Sequence, residues 1–341
     1  MSLFQQPKAR RLERIDRPIK VLTEDIYTLS SLRNMLYVAA PRLLPALFLL
    51  LLPLLSPSEY IQRVATLTAI YALLALSWDF IVLSTGLVSL GQALFFGIGA
   101  YLSGLLNLNL GLPPLLTLAL ATVLGACVCT ALLAPCLPLR GIYFAMTTLV
   151  YPLLMARIIE ATAVVGGTDG LVGVESFPDL WWERYLILVF LLTAAFCLRR
   201  LMTTDFGLVL RSISDNDQAV RASGINITLY KLIALWIGSA LGCFAGAYFT
   251  HLYMFVGLSA FSLDLSILPI ACAVVGGIGT LAGPVLGAFI LVPLAEMLRD
   301  LGTLRIVAYS LLLVALVLFK PEGIMSYLKR KYEQVERWVE V

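Results

Sequence analysis

"GLVSLGQALFFGIGAY", residues 86–101, carries four glycines and no charged side chain, and its reading decides the fold. As a loop in lipid it would leave backbone N–H and C=O groups unpaired, at several kcal/mol each. As a helix its glycines would instead open a flat surface for a neighbour. The choice turns on the solvent, and composition answers that. The chain of 341 residues is 60% hydrophobic and only 13% charged, with a mean hydropathy of +0.93. Such values lie outside the range of water-soluble domains.

A bilayer core of about 30 Å takes roughly 17–25 apolar residues per helix, and runs of that length recur along the chain. Transmembrane strands would alternate apolar and polar residues, and no such alternation dominates. The sequence therefore predicts an all-α, polytopic membrane protein. Spans are expected near 42–56, 61–84, 88–108, 114–137, 142–163, 185–200, 230–253, 264–278, 282–298 and 304–320, about ten crossings. This divides the chain into an N-terminal arm (1–41), a transmembrane domain (42–320) and a C-terminal tail (321–341). The first span begins too far in for a cleaved signal peptide and is read as retained. In the arm, Ile15, Ile19, Leu22, Ile26 and Leu29 recur at helical spacing beside basic residues, which reads either as a helix on the membrane surface or as a disordered arm.

Lys and Arg gather on the cytoplasmic side of membrane proteins. With both termini inside, the inner segments hold the arm's basic residues, Arg140, Arg199, Arg200, Arg211, Arg221, Lys231, Lys320, Lys329, Arg330, Lys331 and Arg337, leaving only Arg63, Arg184, Arg299 and Arg305 outside. The net charge of +3 is then an inner-face feature facing anionic lipid headgroups, not a nucleic-acid footprint.

Chemistry is sparse. The six cysteines lie inside apolar runs without a C-x-x-C pair and read as buried small hydrophobes, and the single histidine, His251, at the outer end of a span, reads as interfacial, so no metal cluster is expected. Asp79, the pair Arg157 and Glu160 at i,i+3, and Glu296 are the ionisable groups within spans. They form no mid-membrane chain of carboxylates, which argues against proton or sodium coupling. A P-loop is missing too, so energy, if used, comes from a partner. "GGTDGLVG" (166–173) lacks the P-loop lysine and reads as a turn-rich outer connection or a docking surface.

Helices in lipid associate where small residues let backbones approach. Ala93/Gly97, Gly99/Ser103 and Ala100/Gly104 put such ridges on more than one side of one helix, which is expected to pack centrally. Gly238, Gly242 and Gly246 form a further ridge, and Gly283 with Gly287 another. "VVGGIGTLAGPVLGA" (274–288) reads as the counterpart of the opening stretch, and two related five-helix halves would make an inverted repeat. The one long inner loop, 199–231, contains "SDNDQAVRASGI". Asp215 or Asp217 is expected to cap a short helix with Ala219, Val220 and Ala222 as its small apolar face and Gly224 as its end. It reads as a rigid knob for another protein or as a solvated connection.

"GLVSLGQALFFGIGAY", "RGIYFAMTTL", "GGTDGL", "RSISDNDQAVRASGIN", "GGIGTLAGPVLGA" and a final "KPEGI", in order from about Ala69 to Ile324, resemble the permease subunits of bacterial ABC importers of the branched-chain amino acid family, LivM type. Permeases of urea and short-chain amide importers are similar. The resemblance implies a multi-pass protein of the inner membrane that catalyses no bond chemistry and carries no cofactor. It further implies a second, LivH-like permease, two cytoplasmic ATPases that bind ATP and Mg²⁺, and a periplasmic substrate-binding protein. The stretch Asp215, Asn216, Asp217, Gln218, Ala219, Val220, Arg221, Ala222, Gly224 and Ile225 would be the coupling helix seated in the ATPase. Gln218 stands where the family usually has an acidic residue, and Gln92 where it often has histidine. A pathway for a small polar or zwitterionic solute is expected to use neutral groups. Gln92, Thr147, Thr148 and Ser239 are its candidate lining, with hydrogen bonding between helices as the alternative role of each. A passive channel and a non-transporting scaffold are the rival classes.

Overall fold

The computed structural model describes residues 58–139, 141–162, 165–298 and 323–328, together with the single positions 311, 314 and 318. The expected N-terminal arm and first span lie outside the described residues, as do most of the last span and of the C-terminal tail. The helices are α1 (Glu59–Thr85), α2 (Gln92–Leu110), α3 (Pro114–Leu133, prolonged by a 3₁₀ turn to Cys136), α4 (Ile142–Thr162), α5 (Leu180–Leu201), α6 (Asp205–Asp215), α7 (Asp217–Ala222), α8 (Ile227–Tyr253), α9 (Asp264–Gly276) and α10 (Ala282–Met297). Five of them, α1 to α4 and α8, are long and apolar enough to cross a membrane; α5 with α6 makes a sixth candidate, bent by 79°. At about 1.5 Å per residue, α9 and α10, with 13 and 16 residues, reach only about 20–24 Å. They are shorter than the spans expected there.

Burial sorts the helices. The most apolar stretches of α1, α2 and α8 are buried over 78%, 67% and 67% of their residues, against 33% for α3 and 22% for α4. The first three form the centre, and α3 and α4 turn apolar faces such as Met146, Val150 and Leu154 outward. That placement suits lipid, in which an exposed aliphatic side chain costs nothing.

The centre is held by backbone approach. A Cβ at Gly99 would overlap the main chain of Cys243, and one at Gly246 the carbonyl of Phe96. Gly238 and Gly242 receive the side chains of Ile81 and Phe95, and Gly97 faces the ring of Phe261. The second close pair is α9 on α10, where Gly276 meets the carbonyl of Gly283, and Gly287 that of Cys272.

The bundle has two distinct ends. At one, α6 and α7 form a hairpin; α6 lays Gly207, Leu210 and Ile213 inward against the foot of α1. At the other, Leu171–Val172 and Phe255–Val256 pair as a two-stranded antiparallel ladder, Leu171 opposite Val256. His251 lies in this ladder end, fully buried rather than interfacial. Its Nδ1 is 2.7 Å from the carbonyl of Glu175 and so donates to it. Its Nε2 then accepts, with the hydroxyls of Ser103 and Thr117 at 2.9 and 2.7 Å. Asn107 adds to the fastening, accepting from the N–H of Glu175 at 2.9 Å. The Gly-rich connection 166–173 is turn-rich, as read, and Glu175, two residues beyond it, is pinned to α2 and α8.

An overpacked interface made of main chain cannot yield as one made of flexible side chains can, and overpacking costs about 1–3 kcal/mol. Gly246→Ala and Gly99→Ala are expected to lower the melting temperature of the detergent-purified protein by several degrees. Gly104→Ala, whose nearest neighbours are the side chains of Leu171 and Val256 at 3.1 and 3.3 Å, is expected to leave it close to wild type. Equal melting of all three variants in a thiol-dye thermal assay would contradict this account.

Candidate functional site

The opening stretch is both things the sequence allowed. Residues 86–91 are irregular and residues 92–110 are helical, so the helix expected from residue 88 starts four residues late. Non-helical backbone within a membrane protein survives only if protein groups take up its hydrogen bonds. Here they do. The indole Nε1 of Trp78 donates to the carbonyl of Ser89 at 2.7 Å, and the N–H of Leu90 to Thr148 Oγ1 at 3.0 Å. At the start of α2 the N–H of Ala93 donates to Ser266 Oγ at 3.0 Å.

A second irregular segment, 277–281, separates α9 from α10. The fully buried carboxylate of Asp79 accepts from Gly279 N–H at 2.5 Å and from Leu281 N–H at 3.0 Å. Leu281 is held at φ +57°, a conformation costly for a bulky residue and kept only where its surroundings fix it. One residue earlier on α1, Trp78 holds the first break. One earlier again, Ser77 Oγ donates to the carbonyl of Gly238 on α8 at 2.7 Å. Three consecutive side chains of α1 therefore clamp both breaks and the central helix. The sequence reading singled out Asp79 and passed over Ser77 and Trp78. The signal available was a polar triplet, Ser-Trp-Asp, inside an apolar span.

Both breaks flank the foot of α1, with Gly279 against Leu83. In each the chain enters from the ladder end and returns to it. The two Gly-rich runs thus turn in the same sense, which is not the inverted relation expected of that pair.

The hairpin meets the first break directly. Gly86, at φ +67°, ends α1 by donating its N–H to the Val82 carbonyl at 2.9 Å, and a Cβ there would stand 3.0 Å from the carbonyl oxygen of Ser214 on α6. The short helix expected in the loop exists as α7, but its cap is Asn216, whose Oδ1 accepts from Gln218 and Ala219 N–H at 3.1 and 3.2 Å. An asparagine between two aspartates carries the same capping oxygen, and the geometry here selects it over both neighbours. Val220 turns inward onto Ile213 and Ile227. Asp215, Gln218, Ala219, Arg221, Ala222 and Gly224 are exposed, and Ile225 is half-buried. Gly224, at φ +80°, follows the helix, and Asp217 pairs with Lys231 of α8 at 3.8 Å.

Of the four lining candidates, Thr148 is the clamp on Leu90. Thr147 Oγ1 donates to its own helix at Tyr143. Ser239 is buried, with Oγ 3.0 Å from the Trp236 carbonyl. Gln92 is fully buried with Oε1 3.5 Å from Ser77 Oγ, and its Nε2 has no hydrogen-bond partner among the described residues. Arg157 and Glu160 pair at 2.6 Å on an exposed face. The described residues include no group of three His, Cys, Asp or Glu that could hold a metal.

Asp79→Ala would strip the N–H groups of buried Leu281 and half-buried Gly279 of their acceptor, a loss of about 1–3 kcal/mol for the buried one. The expected outcome is poor folding yield or a melting temperature well below wild type. Asp79→Asn, keeping one acceptor oxygen, should fall between. A cysteine at Thr280 should label faster with a water-soluble maleimide in both variants, and unchanged labelling would show that the segment stands without this carboxylate.

Residues 60–320 match the family described as branched-chain amino acid transport system / permease component. The chain is 28% identical over 293 residues to the high-affinity branched-chain amino acid transport system permease protein LivM of Salmonella typhimurium, covering 77% of this chain and 69% of that protein. The LivM protein of Escherichia coli is 27% identical over the same shares. A probable branched-chain amino acid transport permease protein LivM of Methanocaldococcus jannaschii is 24% identical, covering 68% and 78%. No solved structure matches the chain. With the family match spanning most of the chain, the protein belongs to the branched-chain amino acid transport system permease family.

Proposed function

We propose that the chain is the permease subunit of an ATP-driven importer for a small polar or zwitterionic solute, with branched-chain and other neutral amino acids foremost. ATP is hydrolysed on a separate cytoplasmic ATPase. Two such ATPases, a LivH-like second permease and a periplasmic binding protein complete the machine, in a bacterial inner membrane with both termini of this chain in the cytoplasm. Membrane lipids surround the outward apolar faces of α3 and α4, and nucleic acid plays no part. The relatives, named for branched-chain amino acid transport, support the cargo class.

The observation that carries the coupling is the seat of the hairpin. An exposed knob (Gln218, Ala219, Arg221 and Ala222), rigidified by Asn216 and the Asp217–Lys231 pair, stands on α6, and α6 touches Gly86 at the first buried break. A displacement of the knob by an ATPase would reach residues 86–91 without crossing a flexible linker. Gln92, whose amide nitrogen just beyond that break has no partner among the described residues, is the path-lining candidate this arrangement favours, while Thr147, Thr148 and Ser239 supply hydrogen bonds to backbone. Ten crossings and two inverted halves belong to the same proposal. In it the inverted counterpart of residues 86–91 is the break after α8, residues 254–263, which lies at the opposite end.

Two measurements on the assembled importer test this. Ala222→Asp on the exposed face of α7 is expected to reduce co-purification of the ATPase, while the permease still inserts and melts normally. Gly86→Val, strained at positive φ and pressed on Ser214, should leave the ATPase bound and active but cut solute uptake into proteoliposomes by about tenfold or more, a barrier change of roughly 1.4 kcal/mol. Uptake without ATPase and without nucleotide would instead support a passive facilitator.

A further inference from the structure

We propose that the buried amide of Gln92, at the N-terminus of α2, donates a hydrogen bond to the carboxylate of the transported solute at mid-depth in the bundle. The inference deepens the import reading and rests on it.

α2 starts inside the bundle. Gln92, its first residue, has its Oε1 3.5 Å from Ser77 Oγ of α1, which donates to the carbonyl of Gly238 at 2.7 Å. Gly238 is the twelfth of the 27 residues of α8. At 1.5 Å per residue that is about 17 Å along a helix of about 40 Å, far from either end. A helix that begins at such depth turns the positive end of its dipole into the protein, where it favours an anion. Part of that end is occupied: Ala93 N–H donates to Ser266 Oγ and Leu94 N–H to the Gly91 carbonyl, both at 3.0 Å. Gly91, the N-cap residue, brings no side chain to accept from the rest.

The side chain of Gln92 is the second and independent sign of a ligand. It is fully buried, and Nε2 has no hydrogen-bond partner among the described residues. An unmet donor in the interior is destabilising, and one that persists calls for a reason. The buried charged side chains among the described residues are Asp79 and Lys231. Asp79 is bonded to the N–H groups of Gly279 and Leu281, and Lys231 pairs with Asp217. The donors that remain for a carboxylate at this depth are therefore neutral. An amide and a helix N-terminus orient a carboxylate without the grip of a lysine or arginine, which suits a solute that must leave again. Because the amide is enclosed, this conformation is closed to solute, and residues 86–91 must move to admit it. They are the residues that the hairpin reaches through Gly86, so the same displacement would open and close the seat.

The test reads binding and transport separately. The permease–ATPase assembly is placed in nanodiscs without its binding protein, and binding of tritiated L-leucine is measured by equilibrium dialysis, with and without a non-hydrolysable ATP analogue. Isocaproate, which is leucine without its amine, should compete; isopentylammonium, which is leucine without its carboxylate, should not. Gln92→Met keeps the length of the side chain and removes the donor. It is expected to weaken L-leucine binding about tenfold or more, the size of one hydrogen bond to a charged group. The variant should melt at or above wild type, because an unmet buried donor is gone. Unchanged binding in Gln92→Met, equal competition by isopentylammonium, or a variant that melts below wild type overturns the proposal, the last because it makes the amide a structural group. ATP-driven uptake by the wild-type importer with its binding protein tests the import reading alone. Uptake without Gln92-dependent binding sinks the amide assignment, and Gln92-dependent binding without uptake sinks import.

Discussion

Backbone that leaves the helix inside a membrane must find its hydrogen-bond partners in the protein, because lipid offers none. This constraint explains the middle of the molecule. Residues 86–91 and 277–281 break the helices around them, and Trp78 and Asp79 supply partners for the freed backbone with one indole and one carboxylate. A buried carboxylate is ordinarily a costly group. It is retained here because it satisfies two N–H groups that a neutral side chain would satisfy less completely, and because it fixes Leu281 in a conformation it would otherwise leave. The central helix α8, bonded to Ser77 through the Gly238 carbonyl, is tied into the same unit.

The glycines follow from the second constraint of the bilayer, that attraction between helices comes from close packing. Gly99 and Gly246 bring α2 and α8 into main-chain contact, and Gly276 and Gly287 do so for α9 and α10. Such contacts hold helices in fixed relation, since there is no long side chain to change rotamer between them. The flexible parts of this interior are therefore few, and the two breaks are the places where the rigid pieces join.

Much of this was legible in the sequence, for identifiable reasons. Apolar length located α1, α3, α4, α5 and α8 to within a few residues, because lipid demands it over whole helices. Glycines four apart located ridges whose partners the structure supplies. The start of α2 was not legible, since "LVSLG" is apolar enough to continue a helix and only the hydrogen bond from Trp78 and the one to Thr148 show why it does not. The short α9 and α10 were located to within two residues by the Gly-rich run between them, although the carboxylate some 200 residues away that bonds their connection was not visible. Asn216 stood between two equally plausible caps, and loop geometry chose it. His251 was placed at the right end but at the wrong depth, because its three oxygen neighbours come from α2, α3 and a distant loop.

Under the import reading, α1 is the member that links the two ends. Its ladder end contributes Val64, Leu67 and Tyr71 to the wall of a cavity of about 450 Å³, its middle clamps the breaks, and Gly86 at its foot rests on Ser214. It has 27 residues without proline, about 40 Å at 1.5 Å per residue, and it is the most buried of the long helices. A helix so enclosed cannot bend locally without opening voids along its length, so it moves as a rod or not at all. Displacement at the hairpin is then felt at the cavity wall through rotation or sliding of one body. The breaks it carries must move with it, because their backbone bonds end on its side chains.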